Sequence, residues 1–222
     1  MKKIIYFSFL FFLCLDLQAS LTHEHLTLYL FCELDPLVTS SDEEYPLSKE
    51  TATKRILEEA RNILSGMIYG YTFSYIPYDK KRKINEDFSI ELISKINWGD
   101  PRLKVVHSEL KDNILYVTVR YWLEDFQLDR INTWMNFSVP VSEGLGEADF
   151  FKGYIEKFSS LKNSIKNAIR NYLRKRILNK PKEISGEILL AGIPETRIKS
   201  GAYLTSSKIK LNIKKIIPYK IF

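Results

Sequence analysis

Apolar and polar residues alternate along residues 26–34: Leu26, Leu28, Leu30, Cys32 and Leu34 interleave with Thr27, Tyr29, Phe31 and Glu33. A period of two sends the two sets to opposite faces, so this stretch reads as a first strand. After Ser48 the period changes. Ala52, Ile56, Ala60, Ile63 and Met67 fall on one face of a helix, widened by Leu57 and Leu64. Ser48 suits the N-cap, Glu50 complements the dipole of the first turn, and Gly66 suits the left-handed position after the last turn. A strand over 67–76 follows directly. Met67, Tyr69, Tyr71, Phe73 and Tyr75 alternate there with Ile68, Gly70, Thr72, Ser74 and Ile76. Both faces are partly apolar, which places this strand inside a sheet, and Pro77 ends it. The helix–strand unit 48–78 is the centre around which the remaining elements are read.

Alternation returns at Phe88, Ile90, Leu92, Ser94 and Ile96 as a third strand, and at Leu103, Val105 and His107 as a fourth. Leu115, Val117, Val119, Tyr121 and Leu123 give a fifth, joined to the fourth by a turn at 111–113. Residues 124–134 fit either a short helix or an irregular crossing, and 139–146 reads as a loop. The longest helical pattern is Phe151, Ile155, Phe158, Leu161, Ile165, Ile169, Leu173 and Ile177, stopped by Asn179-Lys180-Pro181. Ile184, Gly186, Ile188 and Leu190 mark a sixth strand. Residues 203–213 mark a seventh, whose Lys208, Lys210, Asn212 and Lys214 face reads as wet. A short edge strand over 216–222 closes the chain. The predicted fold is α+β: a mostly antiparallel sheet of about seven strands, with two long amphipathic helices packed on one face.

The first 20 residues carry Lys2 and Lys3, an apolar run from Ile4 to Leu15 and a Leu17-Gln18-Ala19 cleavage site, the make-up of a secretory signal peptide. A run of this length is too short to span about 30 Å of hydrocarbon. Cys14 follows Leu13, where a lipoprotein signal wants a small residue. The expected organisation is a signal peptide at 1–20 and a strand–helix–β-meander domain at 21–123. A crossing segment, a long basic helix and C-terminal strands at 124–222 are expected on the same core. The expected product is periplasmic or secreted, soluble and not integral to the membrane. Cys32 is then the sole cysteine, which excludes an intramolecular disulfide and reads as a small buried hydrophobe.

The net charge of +6 conceals an asymmetry. Residues 21–151 hold 14 basic and 22 acidic side chains, whereas residues 152–222 hold 17 and 4. Export removes nucleic acid as a partner and leaves an envelope protein, an anionic envelope component or the chain's own acidic half. Lys162, Lys166, Arg170 and Arg174 recur every four residues opposite the apolar stripe. Glu156 is the one acid among ten bases from Lys152 to Lys182. Exposed helices ordinarily mix signs for i, i+4 support, so this row is a candidate face for an anionic partner, with a plain solvated face as the alternative.

Other chemistry is sparse. The row Tyr69, Tyr71, Phe73, Tyr75 is a candidate sugar- or peptide-binding surface, weighed against packing under a helix. His23 and His25 flank Glu24 with chelating spacing but lack a third ligand nearby, so no metal site is expected. His107 stands alone. Gly144-Leu145-Gly146 lacks the third glycine of a dinucleotide fingerprint. Glu58 and Glu59 are read on the exposed side of the first helix, where they do not converge. No nucleophile elbow, zinc-protease motif or phosphate loop occurs, so no catalytic residue or cofactor is assigned. The terminal Phe222 invites an outer-membrane barrel, but the alternate positions before it hold Lys220 and Pro218.

Residues 26–34, 52–66, 67–75 and 115–121, with Asn113-Ile114-Leu115-Tyr116-Val117-Thr118-Val119-Arg120 at the end of the meander, resemble the N-terminal domain of the flagellar assembly protein FlgT and related small envelope lipoprotein domains. That resemblance covers residues 21–123 and implies a periplasmic, non-catalytic module that packs against an envelope machine. The whole chain is also similar to uncharacterised exported proteins of spirochaete-type bacteria. The expected function is a non-catalytic binding or assembly module of the cell envelope. A cell-wall or envelope hydrolase with a site assembled from scattered residues is the alternative, and oligomeric state is left open.

Overall fold

The computed structural model describes residues 25–36, 44–177 and 179–219. In chain order the elements are β1 (His25–Glu33), α1 (Lys49–Ile68), β2 (Tyr71–Ile76), β3 (Asp87–Leu92), β4 (Leu103–Lys111), β5 (Ile114–Trp122), α2 (Asp125–Met135), β6 (Val141–Asp149), α3 (Glu156–Arg174), β7 (Glu183–Leu190), β8 (Glu195–Lys199) and β9 (Ala202–Ile217). The fold is α+β, with nine strands in two antiparallel sheets among the described residues. The smaller sheet has the order β1-β5-β4 and the larger β3-β2-β7-β9-β6. Strand β9 is 16 residues long, so β8 and β7 fit end to end along one of its edges while β6 takes the other. It runs on to Ile217, so no separate edge strand begins at 216, and residues 220–222 lie outside the described residues.

The helix–strand unit sits at the centre, as its pattern implied. Ser48 Oγ accepts from the Thr51 amide at 3.1 Å and caps α1. Ala52, Ile56, Ala60, Ile63, Leu64 and Met67 are buried. The helix does not stop at Gly66. It continues to Ile68, and Gly66 lies beneath the Tyr71 ring, where a Cβ would come within 2.4 Å of a ring carbon. The left-handed residue is Gly70, with φ of 81°, and its amide donates to Ser65 O at 3.2 Å. The strand therefore begins at Tyr71 and not at 67.

Tyr71, Phe73 and Tyr75 share a face of the larger sheet with Ile184, Ile188, Ile209 and Leu211. Both α1 and α3 cover that face, so the two long helices do lie on one side of it. The smaller sheet packs Leu28, Leu30, Cys32, Leu115, Val117 and Val119 onto the other side of α1. Helix α1 is therefore held between two sheets, and one apolar cluster draws on residues both before and after position 124. Ile56 and Ile165 are fully buried, and each such side chain contributes about 1.5–3 kcal/mol.

Residues 139–146, read as a loop, form most of β6. Its inward positions are Ser142, Gly144 and Gly146, which are too small to register as an apolar alternation. They are small because α3 lies directly on them. A Cβ on Gly144 would stand 2.2 Å from Ser164 O, and one on Gly146 2.1 Å from Ser160 O. Asn163, Asn167 and Asn171 of α3 donate their side-chain amides to the carbonyls of Glu147, Leu145 and Glu143 at 2.9, 2.8 and 3.0 Å. Four helical residues rise about 6 Å and two strand residues about 6.8 Å, so the two ladders stay in step over these contacts. The asparagines satisfy carbonyls along an edge strand that would otherwise be open to pairing.

The crossing segment resolves as α2, whose Gln127 Oε1 accepts from the Glu124 amide at 2.9 Å. Lys210 caps its far end, donating to the carbonyls of Asn136 at 2.9 Å and Val139 at 3.1 Å. Lys210 is therefore buried, and the face expected to be wet is wet only at its neighbours.

Candidate functional site

Helix α3 lays Leu161, Ile165, Ile169 and Leu173 on the sheet, which turns Lys162, Lys166, Arg170 and Arg174 away from that stripe. The row is about 18 Å long. The structure divides it in two. Lys166 Nζ lies 3.0 Å from Glu86 Oε2 and Arg170 Nη1 3.6 Å from Glu86 Oε1, while the Tyr75 hydroxyl donates to Glu86 Oε1 at 2.9 Å. Burial alone would raise the Glu86 carboxyl. The hydrogen bonds from Lys166 and Tyr75 and the charges of Lys166 and Arg170 outweigh burial and hold it below its ordinary value. Lys162 and Arg174 are exposed, and neither has an ion-pair partner among the described residues.

At the C-terminal end of the row the surface opens into a cleft of about 370 Å³. Arg170, Arg174, Lys180 and Glu86 supply its charges, and Leu173, Ile177 and Ile184 are among its apolar lining. Lys180 Nζ donates to Tyr78 O at 2.9 Å, which fixes it on the cleft's margin. A second, more open hollow of about 520 Å³ lies along β6 and β9. Its Lys208 is paired with Glu143 at 3.1 Å and Glu195 adds a further acid, so it carries no excess of positive charge.

The aromatic row does not form a surface. Tyr71, Phe73 and Tyr75 are buried core residues, because β2 is an interior strand of the larger sheet beneath the helices. Tyr69 belongs to the C-cap of α1 instead, and its hydroxyl accepts from Gln127 Nε2 at 2.7 Å. The His25 ring lies tilted against Trp122 with ring centroids 6.3 Å apart, and His107 is exposed on β4. His23 lies outside the described residues. Among the described residues, no three His, Cys, Asp or Glu side chains gather at one point, and no helix is long and apolar enough to cross a membrane.

Sequence reasoning missed a polar cluster under the core. Glu59 and Lys157 are only 4% and 2% exposed. Lys157 Nζ stands 3.5 Å from Glu59 Oε2, donates to the carbonyl of Phe31 and lies 3.6 Å from the centroid of the Phe31 ring. The Tyr154 hydroxyl donates to Glu59, and that of Tyr203 donates to Glu33 at 3.1 Å. Burial raises the Glu33 carboxyl despite the nearby Lys157 charge, and burial pushes the Cys32 thiol up to about 12. The cleft above this cluster measures about 10 Å³, room for one water and for no substrate. The cluster therefore joins α1, α3, β1 and β9. Glu59 was placed on the exposed side of α1, yet it falls three residues after Ile56 and four before Ile63. Lys157 falls four before Leu161 and eight before Ile165. Both lie on the apolar stripes, and a charge in that position is the signal that would have found them.

A protein-family model matches residues 14–219. An uncharacterised protein of Treponema pallidum (strain Nichols) is 24% identical over 205 residues, covering 90% of this chain and 85% of its own. No solved structure matches. The family match spans nearly the whole chain, which therefore belongs to that family, and the likeness to the Treponema protein agrees with the expected similarity to proteins of spirochaete-type bacteria.

Proposed function

We propose that this protein is an exported, non-catalytic binding or assembly module of the cell envelope, and that the α3 row docks it on an anionic envelope component. The observation that carries this reading is the division of the row. Glu86 holds Lys166 and Arg170, while Lys162 and Arg174 extend into solvent about 18 Å apart with no acid of the described residues to neutralise them. Retaining two unmatched cations on a helix with one acid costs self-repulsion and is useful where an anion arrives from outside. The signal-like residues 1–20 support export, and the likeness of 21–123 to a flagellar assembly domain supports a role in holding an envelope assembly together. Retention of purified protein by an isolated envelope fraction tests the reading. Retention at about 50 mM salt should be lost by about 300 mM, because exposed charges are screened beyond a Debye length. Absence of retention, or retention indifferent to salt, would refute it.

A further inference from the structure

We propose that the cleft at the C-terminal end of α3 is a binding site for an anionic amphiphile, a phosphate or carboxylate head carrying an alkyl tail; this rests on the docking reading above and names the ligand chemistry at one end of the row. The charges set the head. Among the described residues Glu86 is the one acid lining the cleft, and it is already engaged by Lys166, Arg170 and the Tyr75 hydroxyl. Arg174 and Lys180 are left on the margin without an acid of the described residues, so the described lining has a surplus of positive charge where a ligand's anion would sit. Arginine offers a planar fork of donors matched to phosphate and carboxylate oxygens. The carbonyl end of a helix ordinarily repels anions. Here the Leu173 carbonyl accepts from the amides of both Arg176 and Ile177 at 2.9 Å, and the Tyr172 carbonyl accepts from Arg176 Nη1 at 3.4 Å, so two of the terminal carbonyls are occupied.

The floor sets the tail. Leu173 and Ile184 are buried at the base of the cleft and Ile177 is half-buried beside them, with Pro77 and Pro181 completing an apolar lining. At about 370 Å³ the cleft falls within the size range of small-ligand sites, roughly 300–1,000 Å³. A wholly polar anion would leave this floor unused. An uncharged tail would leave Arg174 unmatched. The combination selects a molecule with both parts, drawn either from a membrane lipid or from a free single-chain amphiphile.

Calorimetry with the full chain and dodecyl phosphate below its micelle concentration tests the site, with inorganic phosphate, dodecyl maltoside and dodecyltrimethylammonium as the head-only, uncharged and cationic probes. Saturable binding of dodecyl phosphate is expected, weakened at least about tenfold by Arg174→Gln, which alters an exposed side chain and spares the core. Equal binding of inorganic phosphate, of the maltoside or of the cationic probe, or no binding of dodecyl phosphate, would overturn it. Phosphatidylglycerol vesicles separate the sources. Vesicle binding that dodecyl phosphate competes away assigns a membrane lipid, and monomer binding without vesicle binding assigns a free amphiphile. The two readings fail separately. If the envelope fraction retains the protein through Lys162 and Arg174 while dodecyl phosphate does not bind, the cleft proposal falls and the docking face stands. If dodecyl phosphate binds and the envelope fraction does not retain the protein, the reverse holds.

Discussion

Replacing Lys157 with Met should unfold the protein far more readily than replacing both Lys157 and Glu59. The ammonium and carboxyl stand 3.5 Å apart with both residues almost wholly buried. Removing the ammonium leaves Glu59 with the Tyr154 hydroxyl but without the Lys157 charge, and leaves the Phe31 carbonyl without its donor. Breaking one side of such a buried pair costs about 3–5 kcal/mol. Glu59→Leu strands the ammonium and should cost a similar amount. In the double variant both charges are gone. What remains is a Tyr154 hydroxyl and a Phe31 carbonyl without partners, about 1–3 kcal/mol for a buried polar group, partly offset by the new apolar contacts. The double variant should therefore lose less stability than either single variant. Urea unfolding followed by circular dichroism measures this, read at an unchanged slope so that midpoints report stability. A single-variant loss under about 1 kcal/mol, or a double-variant loss equal to the sum of the two singles, would refute the argument that the pair is a buried joint.

Gly146→Ala should destabilise by more than the 1–3 kcal/mol typical of overpacking, because its Cβ would meet helix backbone and not a flexible side chain; thermal melting checks this. Cys32 should resist Ellman's reagent at pH 8 in the native protein and react on unfolding, since its thiol is pushed up to about 12 and is buried. Glu33 has a folded value raised above its ordinary 4.5, so burying its charged form costs stability increasingly as pH rises above 4.5. Glu33→Gln should gain stability relative to wild type on going from pH 4 towards neutrality, and a constant difference across that window would contradict it. Glu86, and Asp100 through the hydrogen bonds it accepts from the Arg102 guanidinium at 3.0 and 2.8 Å, are held low, so their contribution is complete above their ordinary values of 4.5 and 3.8 and should fade in acid as pH drops through the folded values.

The parts of the fold that were legible in the sequence are those written in large apolar side chains. The α1 stripe, the β5 alternation and the Ile165–Ile169–Leu173 seam of α3 all lie where their period put them. Strand β6 was illegible because its inward positions are Ser142, Gly144 and Gly146, selected for closeness and not for hydrophobicity. Three asparagines at four-residue spacing carry the partner signal, and only the docked helix shows what they bond. The second sheet was invisible for another reason. A helix buried on two sides differs from one buried on a single side only in the width of its stripe, and Leu57 and Leu64 already hinted at that. The basic row was readable by spacing alone. Its division was not, because Glu86 lies 80 residues from Lys166 in sequence.

The central claim is that the row has a structural half and a docking half. Two pair variants, each followed by thermal melting and by retention on the envelope fraction, test it most directly. Lys166→Glu with Arg170→Glu sets like charges against Glu86, so the melting temperature should fall. Lys162→Glu with Arg174→Glu should keep the wild-type melting temperature and abolish retention at low salt. Retention at wild-type strength in the Lys162→Glu, Arg174→Glu protein, with its fold intact, would contradict the account.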